Sequence, residues 1–170
     1  MVFNKLSQDL GGFREIIRPS AITEELINNS DIIANYEHDN SNMMARLRKG
    51  KGNIDLKIDE HGLKFRYDIP NTVKGDELWS HIERGEIDQC SFAFGIDYSD
   101  PAAEKYHVDK DGVTIREILK IAALYDISAV INPAYPDTEV YTRDIDHVNE
   151  NIRINKLNNF YLDLLDEISK

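Results

Sequence analysis

A chain of 170 residues, 41% hydrophobic and 30% charged, has the make-up of a soluble globular domain, long enough for one real core and too short for two. Its formal net charge of -11 argues against a nucleic-acid backbone or an anionic membrane as partner, since both would repel it, and suits basic peptides or proteins better. The single cysteine, Cys90, excludes an internal disulfide and points to a reducing, cytoplasmic setting; no apolar run reaches a membrane span and no basic-plus-apolar leader opens the chain.

In chain order, Val2-Phe3 reads as the tail of a strand, and Gly11-Gly12 breaks the chain before the weakly alternating Phe13 to Ile17. Pro19-Ser20 marks a helix start, with Ser20 as N-cap ahead of Ile22, Leu26 and Ile27, and Asn28-Asn29-Ser30 ends it. Ile32-Ile33-Ala34-Asn35-Tyr36-Glu37-His38-Asp39-Asn40 is a short strand running into a polar turn. Arg46-Leu47-Arg48-Lys49-Gly50-Lys51 reads as a basic, solvated loop. A hairpin follows. Ile54, Leu56 and Ile58 alternate with charged residues, Glu60-His61-Gly62 turns, and Leu63, Phe65, Tyr67 and Ile69 return. Asp76 starts a helix whose Leu78, Trp79 and Ile82 share a face, and Gly85 closes it. Residues 97–111 are polar and loop-like. Val113 to Ile131 is the most apolar stretch and reads as two strands or one bent one. Leu157, Phe160, Tyr161, Leu164, Leu165 and Ile168 recur at helical spacing and predict an amphipathic C-terminal helix. The count favours strands, and a barrel or curled sheet with about three helices outside is the simplest packing.

Within this frame, the stretch from Asp88 to Gly95 carries the chemistry. Cys90, Phe92 and Phe94 fall on one side of an extended strand, while Ser91, Ala93 and Gly95 fall on the other. The first set is a core face, which makes Cys90 a buried, inert thiol. The second is a serine among very small residues, as expected where something approaches the backbone closely. His38 lies where an apolar strand ends. Asp126 and Ser128 interrupt the apolar run Leu124 to Ile131, where an ionised carboxylate is costly without a partner. A hydroxyl needs a neighbouring base to become a nucleophile, and the base needs a third group to hold its tautomer. Each residue also has a plain structural reading: an inert strand serine, a turn histidine, an aspartate bonded to nearby amides. His61, His81, His107 and His147 form no metal-ligand spacing, so neither a metal nor another cofactor is implied.

These stretches, in this order, resemble the prohead (procapsid) maturation proteases of tailed bacteriophages, the HK97-like family. The resemblance rests on Val2-Phe3-Asn4, Gly12 to Ile17, Tyr36-Glu37-His38-Asp39, Gly62 to Phe65, Ile69-Pro70-Asn71-Thr72, Arg84-Gly85-Glu86 through Phe94, Asp126 to Val130 and Pro133 to Thr138. It implies a serine protease of α+β, mainly β fold: a herpesvirus-protease-like β-barrel, related to the assemblins and surrounded by a few helices, over residues 1–146, with residues 147–170 as a C-terminal helix or tail. It also implies Ser91 as nucleophile, His38 as general base and Asp126 as third member, although assemblins use a second histidine there. A backbone amide and an arginine such as Arg116 are the candidate oxyanion donors. Family members carry a further strand ahead of the first Phe-Asn, where Met1-Val2 stands here.

The reading that follows is a serine endopeptidase that processes scaffolding protein, major capsid protein and itself, as a homo-oligomer inside the procapsid in the host cytoplasm, with no cofactor, nucleic acid or membrane. The alternative is a catalytically inactive scaffold or capsid assembly module of the same fold.

Overall fold

The computed structural model describes residues 1–135. The expected C-terminal helix and the boundary at residues 146 and 147 lie outside the described residues, as does His147. Among the described residues the chain is mainly β with few helices, as expected. The elements are β1 (Phe13–Ile17), α1 (Glu24–Asn29), β2 (Asp31–Tyr36), β3 (Ala45–Arg48), β4 (Lys51–Gly52), β5 (Asp55–Ile58), β6 (Leu63–Arg66), α2 (Val73–Glu83), β7 (Gln89–Gly95), β8 (Glu104–Val108), β9 (Thr114–Ile118) and β10 (Ala123–Val130). They form a five-stranded sheet in the order β4-β3-β2-β10-β7, a three-stranded sheet β1-β9-β8 and the hairpin β5-β6. No closed barrel is formed by the described residues. No helix among them is long and apolar enough to cross a membrane.

The five-stranded sheet positions everything that follows. Its strands alternate, and their registers align the alternation across the sheet. One face carries Ile32 and Ala34 of β2, Ala45 and Leu47 of β3, Ile127 of β10 and Phe92 of β7. These join the main hydrophobic core, together with Ile17, Ile118 and Leu124, all fully buried. A second cluster gathers Leu78 and Ile82 of α2 with Met44, Ile87 and Ala129. Burying a side chain such as Leu78 completely contributes about 1.5–3 kcal/mol relative to leaving it exposed. Tyr67 packs against both clusters, and burial pushes its phenol up to about 12.

Several sequence expectations shift in detail. Ser20 lies in a 3-10 turn and donates its hydroxyl to Leu119 O, while Thr23 caps α1 by accepting from Leu26 N. The extended Ile22 between them makes the separate cap necessary. Likewise α2 begins at Val73 with Thr72 as its cap, and Asp76 sits in the first turn where its charge suits the helix dipole. Gly75 is required there, since a Cβ would meet Pro70 O at 2.0 Å. The supposed basic loop is the strand β3 turning into β4: Ala45 and Leu47 point inward while Arg46 and Arg48 point outward to Asp31. The supposed loop 97–111 contains β8, paired to β9 yet exposed along almost its whole length. Val113 to Ile131 resolves into two strands, β9 and β10.

Candidate active site

On the other face of the five-stranded sheet, β10 presents Asp126, Ser128 and Val130. Register sets Asp126 beside Ile33 of β2 and Ala93 of β7, and Ser128 beside Asn35 of β2 and Ser91 of β7. A bulge at Tyr125 separates this stretch from Leu124 and shifts the register by one, so Leu124 faces the core while Asp126, two residues before Ser128, shares the face of Ser128 and Ser91. Asn35 and Ser128 are fully buried, Ser91 is 7% exposed and Asp126 8%. A polar cluster on an interior strand of a sheet is costly unless its members satisfy one another.

His38 supplies the partner that Asp126 needs. Its Nδ1 lies 2.9 Å from Asp126 Oδ1. The imidazole side chain is 39% exposed and the carboxylate 11%, so the ring bridges solvent and the buried acid. In a neutral ring, an ionised carboxylate at Nδ1 places the one proton on that nitrogen and leaves Nε2 its lone pair. That is the tautomer a general base requires.

Local backbone makes this reach possible. Tyr36 to Asp39 form a tight turn closed by Asp39 N donating to Tyr36 O, and both central residues have positive φ, Glu37 at 56° and His38 at 55°. This is the pattern of a type I′ turn, which normally takes Asn or Gly. Each left-handed side-chain-bearing residue costs about 1–2 kcal/mol. Bonds to β10 and its end hold the strain in place. Glu37 N donates to Ala129 O at 3.0 Å, Ile131 N donates to Glu37 Oε1 at 2.7 Å, and His38 N donates to Ser128 Oγ at 2.8 Å. Asp39 then caps the next turn through Ser41, and Lys74 of α2 donates to Ser41 O and Asn42 Oδ1. The turn is anchored on both sides.

Ser91 is brought onto the same face, one strand from Asp126 and opposite Ser128. It makes no hydrogen bond to His38. Directly opposed strand residues have Cβ atoms about 4.5–5.5 Å apart, so Ser91 and the His38 backbone share Ser128 as a common neighbour. Catalytic hydrogen bonds are commonly unformed before substrate binds. The strand parity expected of β7 holds: Cys90 is buried on the core face and Ala93 follows Ser91 on the site face. The turn delivering β7 is locked by a fork from Arg84 Nε and Nη2 to the two oxygens of Glu86, with His81 Nδ1 2.6 Å from Glu86 Oε2. The Arg84 guanidinium, with help from His81, holds the Glu86 carboxyl down at about 2.

Arg116 lies on β9 in the three-stranded sheet, where it engages Glu104 Oε2 at 2.7 Å and Glu15 Oε2 at 3.1 Å. Glu15 is buried, and its Oε1 accepts from Tyr135 Oη at 2.6 Å. Burial, followed by the Glu15 charge, pushes the Tyr135 phenol far above its ordinary range. Tyr135 in turn stacks on Phe92, next to Ser91, with ring centroids 5.4 Å apart. Glu15 and Tyr135 lie in stretches that carry the family resemblance, but the sequence gives neither a role; a glutamate in the weakly alternating 13–17 stretch is the available signal. Among the described residues no group of three His, Cys, Asp or Glu side chains is placed to hold a metal.

The model of the family described as caudovirus prohead serine protease matches residues 1–151. No curated protein matches the chain, and no solved structure does. The match takes in His38, Ser91 and Asp126 and most of the chain, so the chain belongs to the caudovirus prohead serine protease family.

Proposed function

We propose that this chain is a serine endopeptidase in which Ser91 is the nucleophile, His38 the general base and Asp126 the group that orients the base. In this reading it cleaves scaffolding protein, major capsid protein and itself inside the procapsid, in the host cytoplasm. The observation that carries the proposal is the 2.9 Å contact between His38 Nδ1 and Asp126 Oδ1, on the sheet face where Ser91 lies one strand away. His38 Nε2 takes the proton of the Ser91 hydroxyl as Oγ bonds to the scissile carbonyl carbon. It returns that proton to the leaving amine as the C–N bond breaks, and water then releases the acyl group by the reverse use of the same base. With Arg116 occupied by Glu15 and Glu104, a backbone amide beside Ser91 is the better oxyanion donor; one such donor is worth about 3 kcal/mol of barrier. The three sheets are read as the walls of a herpesvirus-protease-like barrel.

Co-expression with the capsid and scaffolding proteins of its own prohead tests this function. Wild-type chain is expected to yield defined fragments of both, and Ser91→Ala to leave them full-length. Equal processing by Ser91→Ala would overturn the assignment, and intact substrates with the folded wild type would favour an inactive assembly module.

A further inference from the structure

We propose that Ser128 is a positioning residue for His38, fixing the backbone of the base while Asp126 fixes its ring. This rests on the protease reading for its effect on rate, though the contact itself does not. Two residues apart on one strand, Asp126 and Ser128 face the same side and address two points of one residue: Oδ1 at the imidazole, 2.9 Å, and Oγ at the main-chain N–H, 2.8 Å. Ser128 is fully buried. As well as accepting from His38, its hydroxyl has only long contacts to Asn35 O, 3.5 Å, and Ala129 O, 3.3 Å. The short bond is therefore the one to His38.

The reason such a fixture is needed lies in the turn. Glu37 and His38 are both in the left-handed region without glycine, a conformation that persists only where the surroundings over-determine it. Glu37 has two such ties, its N–H to Ala129 O and its carboxylate to Ile131 N. His38 has one backbone tie, to Ser128. Removing the Ser128 oxygen leaves His38 with no backbone bond of its own, so the ring is free to tilt about Asp126 while the contact at Nδ1 survives. Because Ser128 is also the direct register partner of Ser91, the same hydroxyl sets the base against the strand of the nucleophile.

The test uses the full chain. Hydrogen exchange is measured at the His38 and Glu37 amides in the wild type, in Ser128→Ala and in Ser128→Thr, which keeps the oxygen. Acylation by a fluorophosphonate and peptide kcat and KM are measured on the same proteins. Ser128→Ala is expected to lose about tenfold of the protection at His38 while Glu37 keeps its own, and to lose about tenfold in acylation rate and kcat with KM unchanged. Ser128→Thr is expected to restore both. Unchanged His38 protection in Ser128→Ala overturns the contact, and unchanged acylation with lost protection overturns its part in catalysis. Should Ser128→Ala fail to fold, a His38 amide that exchanges at the unprotected rate in the wild type overturns the proposal by itself. A wild type that is never acylated refutes the protease reading, and the exchange result then decides the contact alone.

Discussion

Asp126→Asn is expected to lower the rate of Ser91 acylation by about four orders of magnitude, the size of effect seen when the buried aspartate of a serine-protease triad is made an amide. The cause is the tautomer. In the proposed triad an ionised Asp126 would only accept, which would hold the proton on His38 Nδ1 and leave Nε2 free to take the Ser91 proton. An asparagine rotated to offer its N–H to Nδ1 reverses this and places the proton on Nε2, where it blocks the base. The carboxylate is largely buried while the ring is partly solvated, so reorienting the base costs little stability and mainly removes function. Acylation rates and thermal unfolding measured together check it: a loss of less than tenfold, with an intact fold, would contradict the role given to Asp126.

Arg116→Ala carries the largest expected effect on stability, about 3–5 kcal/mol, because it leaves the buried Glu15 carboxylate without its cation. For a chain of this size each kcal/mol moves Tm by about 2–4 °C, so a fall of roughly 6–20 °C follows. The loss extends toward the site, since Glu15 also holds Tyr135 and Tyr135 stacks on Phe92 beside Ser91. Pairing the change with Glu15→Gln removes the stranded charge and should recover a large part of the loss. Chemical denaturation of the single and double variants reads this directly, and a single-variant loss below about 1 kcal/mol would show that the ion cluster contributes little to the fold.

Much of this was legible in the sequence where one side of a strand is dry and the other wet. The β5–β6 hairpin and the parity of β7 followed from alternation, and Asp126 stood out because a carboxylate in an apolar strand demands a partner. Elements lacking that contrast were hidden. β8 is exposed on both sides, so its residues offer no period to read. β3 does alternate, but its arginines have the composition of a solvated loop, and their pairing with Asp31 depends on the β2–β3 register. The turn at His38 was legible as a polar break, but its geometry was not: a left-handed Glu-His pair contradicts local preference and is held by bonds to a strand some 90 residues away. Ser128 was visible as a polar interruption, but its purpose depended on register, which periodicity does not supply.

The assignment of Ser91 as a nucleophile served by His38 is tested most directly by treating the folded full-length chain with a fluorophosphonate and locating the adduct by mass spectrometry. One adduct per chain, on the Ser91 peptide, absent in Ser91→Ala and strongly slowed in His38→Ala, is the expected result. A folded chain that takes up no label, or takes it up equally in all three proteins, would contradict it.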